Sequence, residues 1–150
     1  MSPEREDALL AELRALYAEA DALLEGWTCG NTAECCRFAL TGREPYLTSI
    51  EAAALRRALG EQGKRKEAAP KDRSGEERCP FLDAKLQCRA YADRPIGCRT
   101  FYCHRALPGG PKVTHQRWRE LVRQIEALAE RHQRGGSEGR PIRRIFPSAR

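Results

Sequence analysis

Three segments of the chain carry hydrophobic residues at the spacing of an amphipathic α-helix. In the first segment, the apolar positions recur in steps of three and four. They are Leu9, Leu13, Leu16, Ala20, Leu23 and Trp27. Ser2 is suited to cap the amino end, and Pro3 suits the first helical position. The pattern therefore predicts a long helix that begins at Pro3 and packs one apolar stripe against a core.

A second helix is predicted to begin next to Thr48. Residues 48–51 read Thr-Ser-Ile-Glu, a capping box in which the threonine oxygen and the glutamate carboxylate satisfy exposed backbone amides. An alanine-rich run continues to Leu59, and Gly60 is a typical helix stop. We therefore expect this helix to end at about Gly60.

The third helix is predicted from about Thr114 to Arg131. Its apolar face is made of Trp118, Leu121, Val122, Ile125, Leu128 and His132. Gly135 and Gly136 follow and should end the helix. Four cysteines and several turn-forming residues occupy residues 78–103, which predicts turns and short helical pieces there.

These patterns predict a mainly α protein, a small single domain in which a few helices surround an irregular cysteine-rich centre. The domain is expected to span residues 1–134. Residues 61–77 are rich in charged residues and predict an exposed charged loop within it. Residues 135–150 are basic and are expected to form a flexible tail.

Charge is distributed unevenly along the 150 residues, although the net charge is only +6. Residues 1–60 carry 6 basic against 10 acidic side chains, and residues 61–150 carry 21 against 11. The two halves could attract each other, or the basic half could bind an acidic partner. The polar amino terminus does not resemble a signal peptide, and no apolar run is long enough to span a membrane. We therefore expect a cytoplasmic protein.

Seven cysteines give the chain its candidate chemistry. They are Cys29, Cys35, Cys36, Cys79, Cys88, Cys98 and Cys103, in two groups separated by a long interval. In a reducing cytosol such cysteines stay as thiols or bind metal, and an odd number fits disulfide pairing poorly. Thiolates are the ligands preferred by zinc and by iron–sulfur clusters. The sequence therefore predicts one metal site built from both groups.

The spacing leaves the identity of the metal open. No Cys-x-x-Cys pair is present, so the usual zinc knuckle is missing. Cys35 and Cys36 are adjacent, and neighbouring side chains point in different directions, so either one of them packs in the core or the site holds more than one metal. Arginines follow Cys36, Cys88 and Cys98 directly, and nearby cations favour the thiolate form. A merely arginine-rich segment would give the same adjacency.

Two blocks of the chain resemble the YkgJ-type cysteine-cluster family of zinc- or iron-chelating proteins. Residues 27–36 are similar to its Cys-x-x-Cys-x-x-Cys-Cys signature, and residues 79–101 are similar to its second block, with Cys-Pro-Phe-Leu-Asp, Arg-Pro and Cys-Arg-Thr-Phe. The resemblance covers about residues 27–104 and implies a zinc or iron–sulfur site. Thr32 occupies the position of the second motif cysteine, so the chain has seven cysteines where the family has eight.

We therefore predict a metal-binding protein that holds an iron–sulfur cluster, or alternatively zinc, with all seven cysteines as candidate ligands. Cys29, Cys36, Cys79, Cys88 and Cys98 are expected to converge in one site. His104 is the best candidate ligand that is not a cysteine, whereas His115 and His132 are expected to be surface or packing residues. No catalytic residue is predicted. The alternative function is nucleic-acid binding with a structural zinc site, to which only the basic charge points.

Overall fold

A computed structural model describes residues 1–24, 36–38, 42–63, 78–83, 85–99 and 115–147. Within these ranges the chain forms five α-helices and two short β-strands. The helices are α1 (Pro3–Leu23), α2 (Ser49–Gly63), α3 (Ile96–Arg99), α4 (His115–His132) and α5 (Ile142–Ile145); the strands are β1 (Tyr46–Leu47) and β2 (Arg140–Pro141). A 3₁₀ turn covers Tyr91–Asp93. The prediction of a mainly helical fold with little sheet is confirmed.

Helix α1 begins as its sequence predicts, because the Ser2 side chain accepts a hydrogen bond from the Arg5 amide and Pro3 occupies the first turn. Its buried face is broader than the predicted stripe. Leu10 and Tyr17 are fully covered, while Leu16 and Leu23 are only partly buried. The face is broader because α1 packs against both α2 and α4. Trp27, the last predicted member of the stripe, lies outside the described residues.

Helices α1, α2 and α4 enclose an apolar core, here named the helical core. Its buried members are Leu9, Leu10, Leu13, Tyr17, Ala20, Ile50, Ala53, Ala54, Ile96, Leu121, Ile125, Leu128 and Ala129. Helices α1 and α4 run antiparallel, since Arg131 near the end of α4 binds Glu12 at 2.7 Å while Arg117 near its start reaches Glu19 at 3.7 Å.

Helix α2 continues past its predicted end. Gly60 is exposed and lies inside the helix, which runs to Gly63. A glycine inside a helix costs only about 1 kcal/mol relative to alanine. The preceding turns are anchored by buried Ala54 and Leu55, so the stop signal is overridden. The first three residues of the predicted charged loop are therefore helical, and the rest of that loop lies outside the described residues.

A second apolar cluster, here named the cysteine core, lies apart from the helical core. Its buried members are Phe38, Leu47, Leu55, Cys79, Phe81, Leu82, Ala90 and Ile142. Six separate stretches of the sequence contribute to it, and only Leu55 comes from a long helix.

The carboxyl-terminal segment closes the cysteine core and corrects the prediction of a flexible tail. Strand β2 pairs antiparallel with β1, and Ile142 is 2% exposed. The Phe146 ring packs edge-to-face on Phe81, with centroids 5.1 Å apart. Arg143 binds Glu44 through two nitrogens, at 2.8 and 3.0 Å. Although this segment is basic in composition, its apolar residues Ile142 and Phe146 pack in the cysteine core.

The uneven charge of the chain is used within the fold. Arginines of the basic half reach carboxylates of the acidic half in the pairs Arg99–Asp21, Arg117–Glu19, Arg131–Glu12 and Arg143–Glu44. The structure therefore supports mutual attraction of the two halves, one of the two interpretations left open by the sequence. In the described ranges, no helix has both the length and the apolar character needed to cross a membrane.

Candidate metal centre

The two cysteine groups meet where Cys36 lies beside Cys79. The Cys79 amide donates a hydrogen bond of 2.7 Å to the Cys36 carbonyl. The neighbouring residues Arg37 and Arg78 form an antiparallel bridge. This hydrogen bond joins residues 43 positions apart and holds Cys36 of the first group beside Cys79 of the second. The described ends of the two groups are therefore adjacent, as the hypothesis of a shared site requires.

Cys79 and Cys88 lie on the two arms of a short hairpin. Leu82 and Cys88 form an antiparallel bridge, and the Arg89 amide donates to the Phe81 carbonyl at 2.8 Å. The turn between the arms is closed by Asp83, whose Oδ1 accepts from the amides of Lys85 at 2.8 Å and Gln87 at 2.9 Å. Asp83 thus has the turn role expected of aspartate in a short loop.

Three cysteines share the apolar environment of the cysteine core. Cys79 is buried in it, and half-buried Cys36 and Cys88 pack against it. The four described cysteines form no disulfide with one another. Among the described residues, no three histidine, cysteine, aspartate or glutamate side chains are close enough to hold a metal ion. A complete site would therefore need a contribution from outside those residues.

Cys98 lies on α3, which packs against α1. It does not belong to the residues that pack on the cysteine core in the described part of the chain. On that side of the helix, burial and the charge of Glu51 raise the pKa of Tyr17 well above its ordinary value, while the Arg99 guanidinium opposes this rise.

The arginines beside the cysteines are used to hold loop carbonyls. Arg89 donates to the Pro80 carbonyl at 3.0 Å, and Arg94 donates to the Tyr91 carbonyl at 3.1 Å. Arg99 donates to the carbonyls of Ala92 at 2.9 Å and Arg94 at 2.8 Å. These contacts give the arginines a structural task in the loops between Cys79 and Cys98, which supports the plainer interpretation of their adjacency.

A buried carboxylate, Glu51, is the main feature that sequence reasoning missed. It was expected only to cap α2, but it is 1% exposed and accepts hydrogen bonds from three segments. The Thr48 amide and hydroxyl donate at 3.1 and 2.9 Å, the Tyr17 hydroxyl at 3.2 Å and the Ile96 amide at 2.8 Å. The threonine hydroxyl therefore donates to the carboxylate, whereas the predicted box has it accept from a backbone amide. An acidic residue between Ile50 and four apolar positions was the available signal.

The remaining candidates fall into two groups. Cys29, Cys35, Cys103, Thr32 and His104 lie outside the described residues, as does the side chain of His115. His132 is a packing residue, as predicted. Its ring nitrogens lie 2.9 Å from the Ser49 hydroxyl and 3.3 Å from a Glu6 carboxylate oxygen, which ties the end of α4 to α1 and α2.

Comparison with known protein families identifies the domain. The family model "CxxCxxCC: Putative zinc- or iron-chelating domain" matches residues 28–125, which is more than half of the chain. The chain belongs to this family. The CxxCxxCC match includes every cysteine of the chain, and it extends beyond the predicted limit of about residue 104 into α4. No curated protein and no solved structure matches the chain significantly.

The match gives the domain a metal-chelating character and does not distinguish zinc from iron. The matched range ends in α4, where Leu121 and Ile125 are fully buried in the helical core. The CxxCxxCC match thus covers all the cysteines together with α2, α3 and the first part of α4, while α1 and α5 lie outside it.

Proposed function

We propose that the protein binds an iron–sulfur cluster or zinc through cysteine thiolates drawn from both groups, and that an iron–sulfur cluster is the preferred occupant. The observation that supports this most strongly is the backbone hydrogen bond between Cys79 and Cys36, which brings one cysteine of each group together. The CxxCxxCC family assignment agrees with it.

The donor set fits such a metal. Cys36, Cys79 and Cys88 gather around one apolar cluster, and thiolate sulfur is the preferred ligand of zinc and of iron–sulfur centres. An apolar surrounding limits the access of water and so tunes a bound metal. We assign these three residues and Cys98 as ligands, with Cys29, Cys35 and Cys103 completing the set. Seven thiols exceed the four that one zinc ion takes and also the four that one iron–sulfur cluster takes, so the surplus favours a site with more than one metal atom.

The metal, when bound, would link loops that have little regular structure of their own. Binding free energy at a structural metal site is also folding free energy, because the site does not exist in the unfolded chain. The cysteine core has segments from both sides of the long interval between Phe38 and Cys79. Thiolate bonds across that interval would therefore stabilise the contact that the backbone already makes.

Anaerobic purification followed by metal and acid-labile sulfide analysis tests the proposal. We expect iron and sulfide in comparable amounts together with cluster absorption in the visible range. Stoichiometric zinc without sulfide would replace the cluster by zinc and leave the thiolate site intact. Protein free of both metals, after purification and after reconstitution with each, would contradict the proposal.

A matched pair of variants separates ligand loss from general damage. Cys79→Ser removes a thiolate from the cysteine core, whereas Leu82→Ala removes apolar contact from the same core and leaves every thiol in place. Metal content should fall in Cys79→Ser and be retained in Leu82→Ala. Equal metal content in both variants would show that Cys79 is not a ligand.

A further inference from the structure

Cys98 is carried by a helix that cannot hold its own shape. Helix α3 is four residues long, and isolated helices shorter than about 12 residues are marginal in water. The conformation of α3 must therefore be set by the contacts it makes with its neighbours.

The amino end of α3 is held by Glu51. The Ile96 amide, which opens the helix two residues before Cys98, donates to Glu51 Oε1 at 2.8 Å. That carboxylate is fixed in turn by the Tyr17 hydroxyl and by Thr48. A buried carboxylate is tolerated only when it is fully hydrogen-bonded, and here both oxygens have donors. Glu51 is thus a rigid anchor between α1, α2 and α3.

The carboxyl end of α3 is held by Arg99, the residue after Cys98. Its side chain is 3% exposed, and its guanidinium lies 4.3 Å from the centre of the Tyr17 ring. The same group donates to Asp21 at 2.5 Å and to the carbonyls of Ala92 and Arg94. A guanidinium presents several donors in a fixed plane, so these contacts determine its orientation.

We propose that Glu51 and Arg99 are positioning residues for the metal centre. The two residues clamp α3 from both ends, so that the Cys98 thiolate is presented in one orientation. The proposal rests on the proposed function, since it requires Cys98 to be a ligand. Tyr17 joins the two anchors, because its hydroxyl binds Glu51 while its ring lies against Arg99. Residues that orient metal ligands typically change metal affinity 10–100-fold when they are replaced.

Three variants test the clamp against a control that is equally buried. Glu51→Gln keeps the shape but replaces one acceptor by a donor, Arg99→Lys keeps the charge but loses the planar fork, and Tyr17→Phe removes only the hydroxyl. Leu13→Ala, in the helical core, makes a general stability control. Cys98→Ser establishes whether Cys98 is a ligand.

Two readouts are measured on whichever metal form the wild-type protein yields. The first is the rate of metal loss to an excess of chelator. The second is a spectrum of the metal–thiolate bonds, taken as visible absorption and circular dichroism of the cluster, or as Co²⁺ absorption where zinc is bound. Glu51→Gln and Arg99→Lys should lose metal about 10–100-fold faster and show a changed spectrum. Tyr17→Phe should change both in the same direction by less, and Leu13→Ala should keep the wild-type spectrum.

Several outcomes would overturn the proposal, and they are distinguishable from failure of the proposed function. Spectra and rates of Glu51→Gln and Arg99→Lys equal to those of Leu13→Ala would show that the two residues only stabilise the fold. Wild-type metal content in Cys98→Ser would show that α3 carries no ligand, while Cys79→Ser could still lose metal. Absence of thiolate-bound metal from the wild-type protein would overturn this proposal together with the proposed function. Should Glu51→Gln fail to fold, Tyr17→Phe and Arg99→Lys decide the question.

Discussion

The helical core and the cysteine core are built by different means. The helical core joins long helices whose apolar faces follow a regular period, and four of its members are at most 1% exposed, namely Leu10, Leu13, Leu121 and Ile125. Apart from Leu55 of α2, the cysteine core is built from residues of loops and of very short strands and helices. Regular helices provide their own backbone hydrogen bonds. The loops are instead ordered by contacts between residues far apart in sequence, such as the hydrogen bond between Cys79 and Cys36.

This difference predicts how each region depends on metal. Short elements that are far apart in sequence carry a large entropy cost when they are brought together. Thiolate–metal bonds can supply stabilisation in the cysteine core, while the helical core is stabilised by the burial of its own apolar side chains. The predictions below separate the two regions, beginning with the largest expected effect.

Removing the metal should loosen the cysteine core and leave the helical core largely folded. Structural metal sites supply on the order of 10 kcal/mol of apparent binding free energy. Amide hydrogen exchange before and after chelation measures this. We expect protection at Arg89, whose amide bonds Phe81, to be lost, and protection in the middle of α1 to be retained. Equal loss in both places would show one cooperative unit rather than two distinct regions.

Leu13→Ala should destabilise the helical core without releasing the metal. Leu13 is 0% exposed in the helical core, and such truncations cost about 2–5 kcal/mol. The free energy of unfolding should fall by this amount, while metal content stays at the wild-type level. Cys88→Ser should lose metal and loosen the cysteine core. Chemical denaturation combined with metal analysis tests the pair, and loss of metal in Leu13→Ala would contradict the separation.

Ile142→Ala tests the carboxyl-terminal segment as a part of the cysteine core. Ile142 is 2% exposed, so its truncation should cost about 2–5 kcal/mol, toward the lower end because a surface segment can adjust. Hydrogen exchange should rise at Phe146, whose amide bonds Ile142, and metal should be released faster to a chelator. Arg144→Ala, an exposed neighbour, is the control and should behave as wild type. Unchanged exchange and release in Ile142→Ala would contradict the role of the segment.

The smallest effect is expected at the Glu44–Arg143 pair, which fastens the same segment. Hydrogen bonding to Arg143 lowers the pKa of Glu44 below its ordinary value of 4.5, against an opposing effect of partial burial. A lowered folded-state pKa stabilises the fold above pH 4.5, and this contribution is lost as the pH falls through the lowered value. Because the pair is partly exposed, it should contribute no more than about 1 kcal/mol.

An NMR titration of the Glu44 carboxyl group measures this directly. Its pKa should lie below 4.5 in the wild-type protein and should rise in Arg143→Leu. Arg144→Leu, which removes a neighbouring charge without breaking the pair, should leave the pKa of Glu44 nearly unchanged. Equal titration in the wild type and in Arg143→Leu would show that the pair does not form in solution.

The helices of the helical core were largely predictable because neighbouring residues in the sequence determine where each helix forms. Helix α4 was expected from Thr114 to Arg131 and is observed from His115 to His132. The apolar period and the caps determine such an element from neighbouring residues alone. The predicted end of α2 at Gly60 was wrong, since the helix runs to Gly63. Buried residues before Gly60 outweigh the weak local stop signal.

The cysteine core was predictable only in its chemistry. The cysteine spacing and the family resemblance indicated a metal-binding domain, and the CxxCxxCC match confirms that character. Its architecture depends on contacts over long sequence separations, such as β1 with β2 or Glu51 with Ile96. Neither a two-residue strand nor a buried carboxylate has a periodic signature. The same reason explains why the packed segment around Ile142 was expected to be a flexible tail.

X-ray absorption at the bound metal tests most directly whether the two cysteine groups hold one centre. The account predicts a sulfur shell at about 2.3 Å, as expected for thiolate bound to zinc or iron. The number of sulfur neighbours should fall, or the metal should be lost, in Cys36→Ser from the first group and equally in Cys79→Ser from the second. A shell of oxygen and nitrogen alone, or a sulfur shell that only one of the two variants alters, would contradict a shared site.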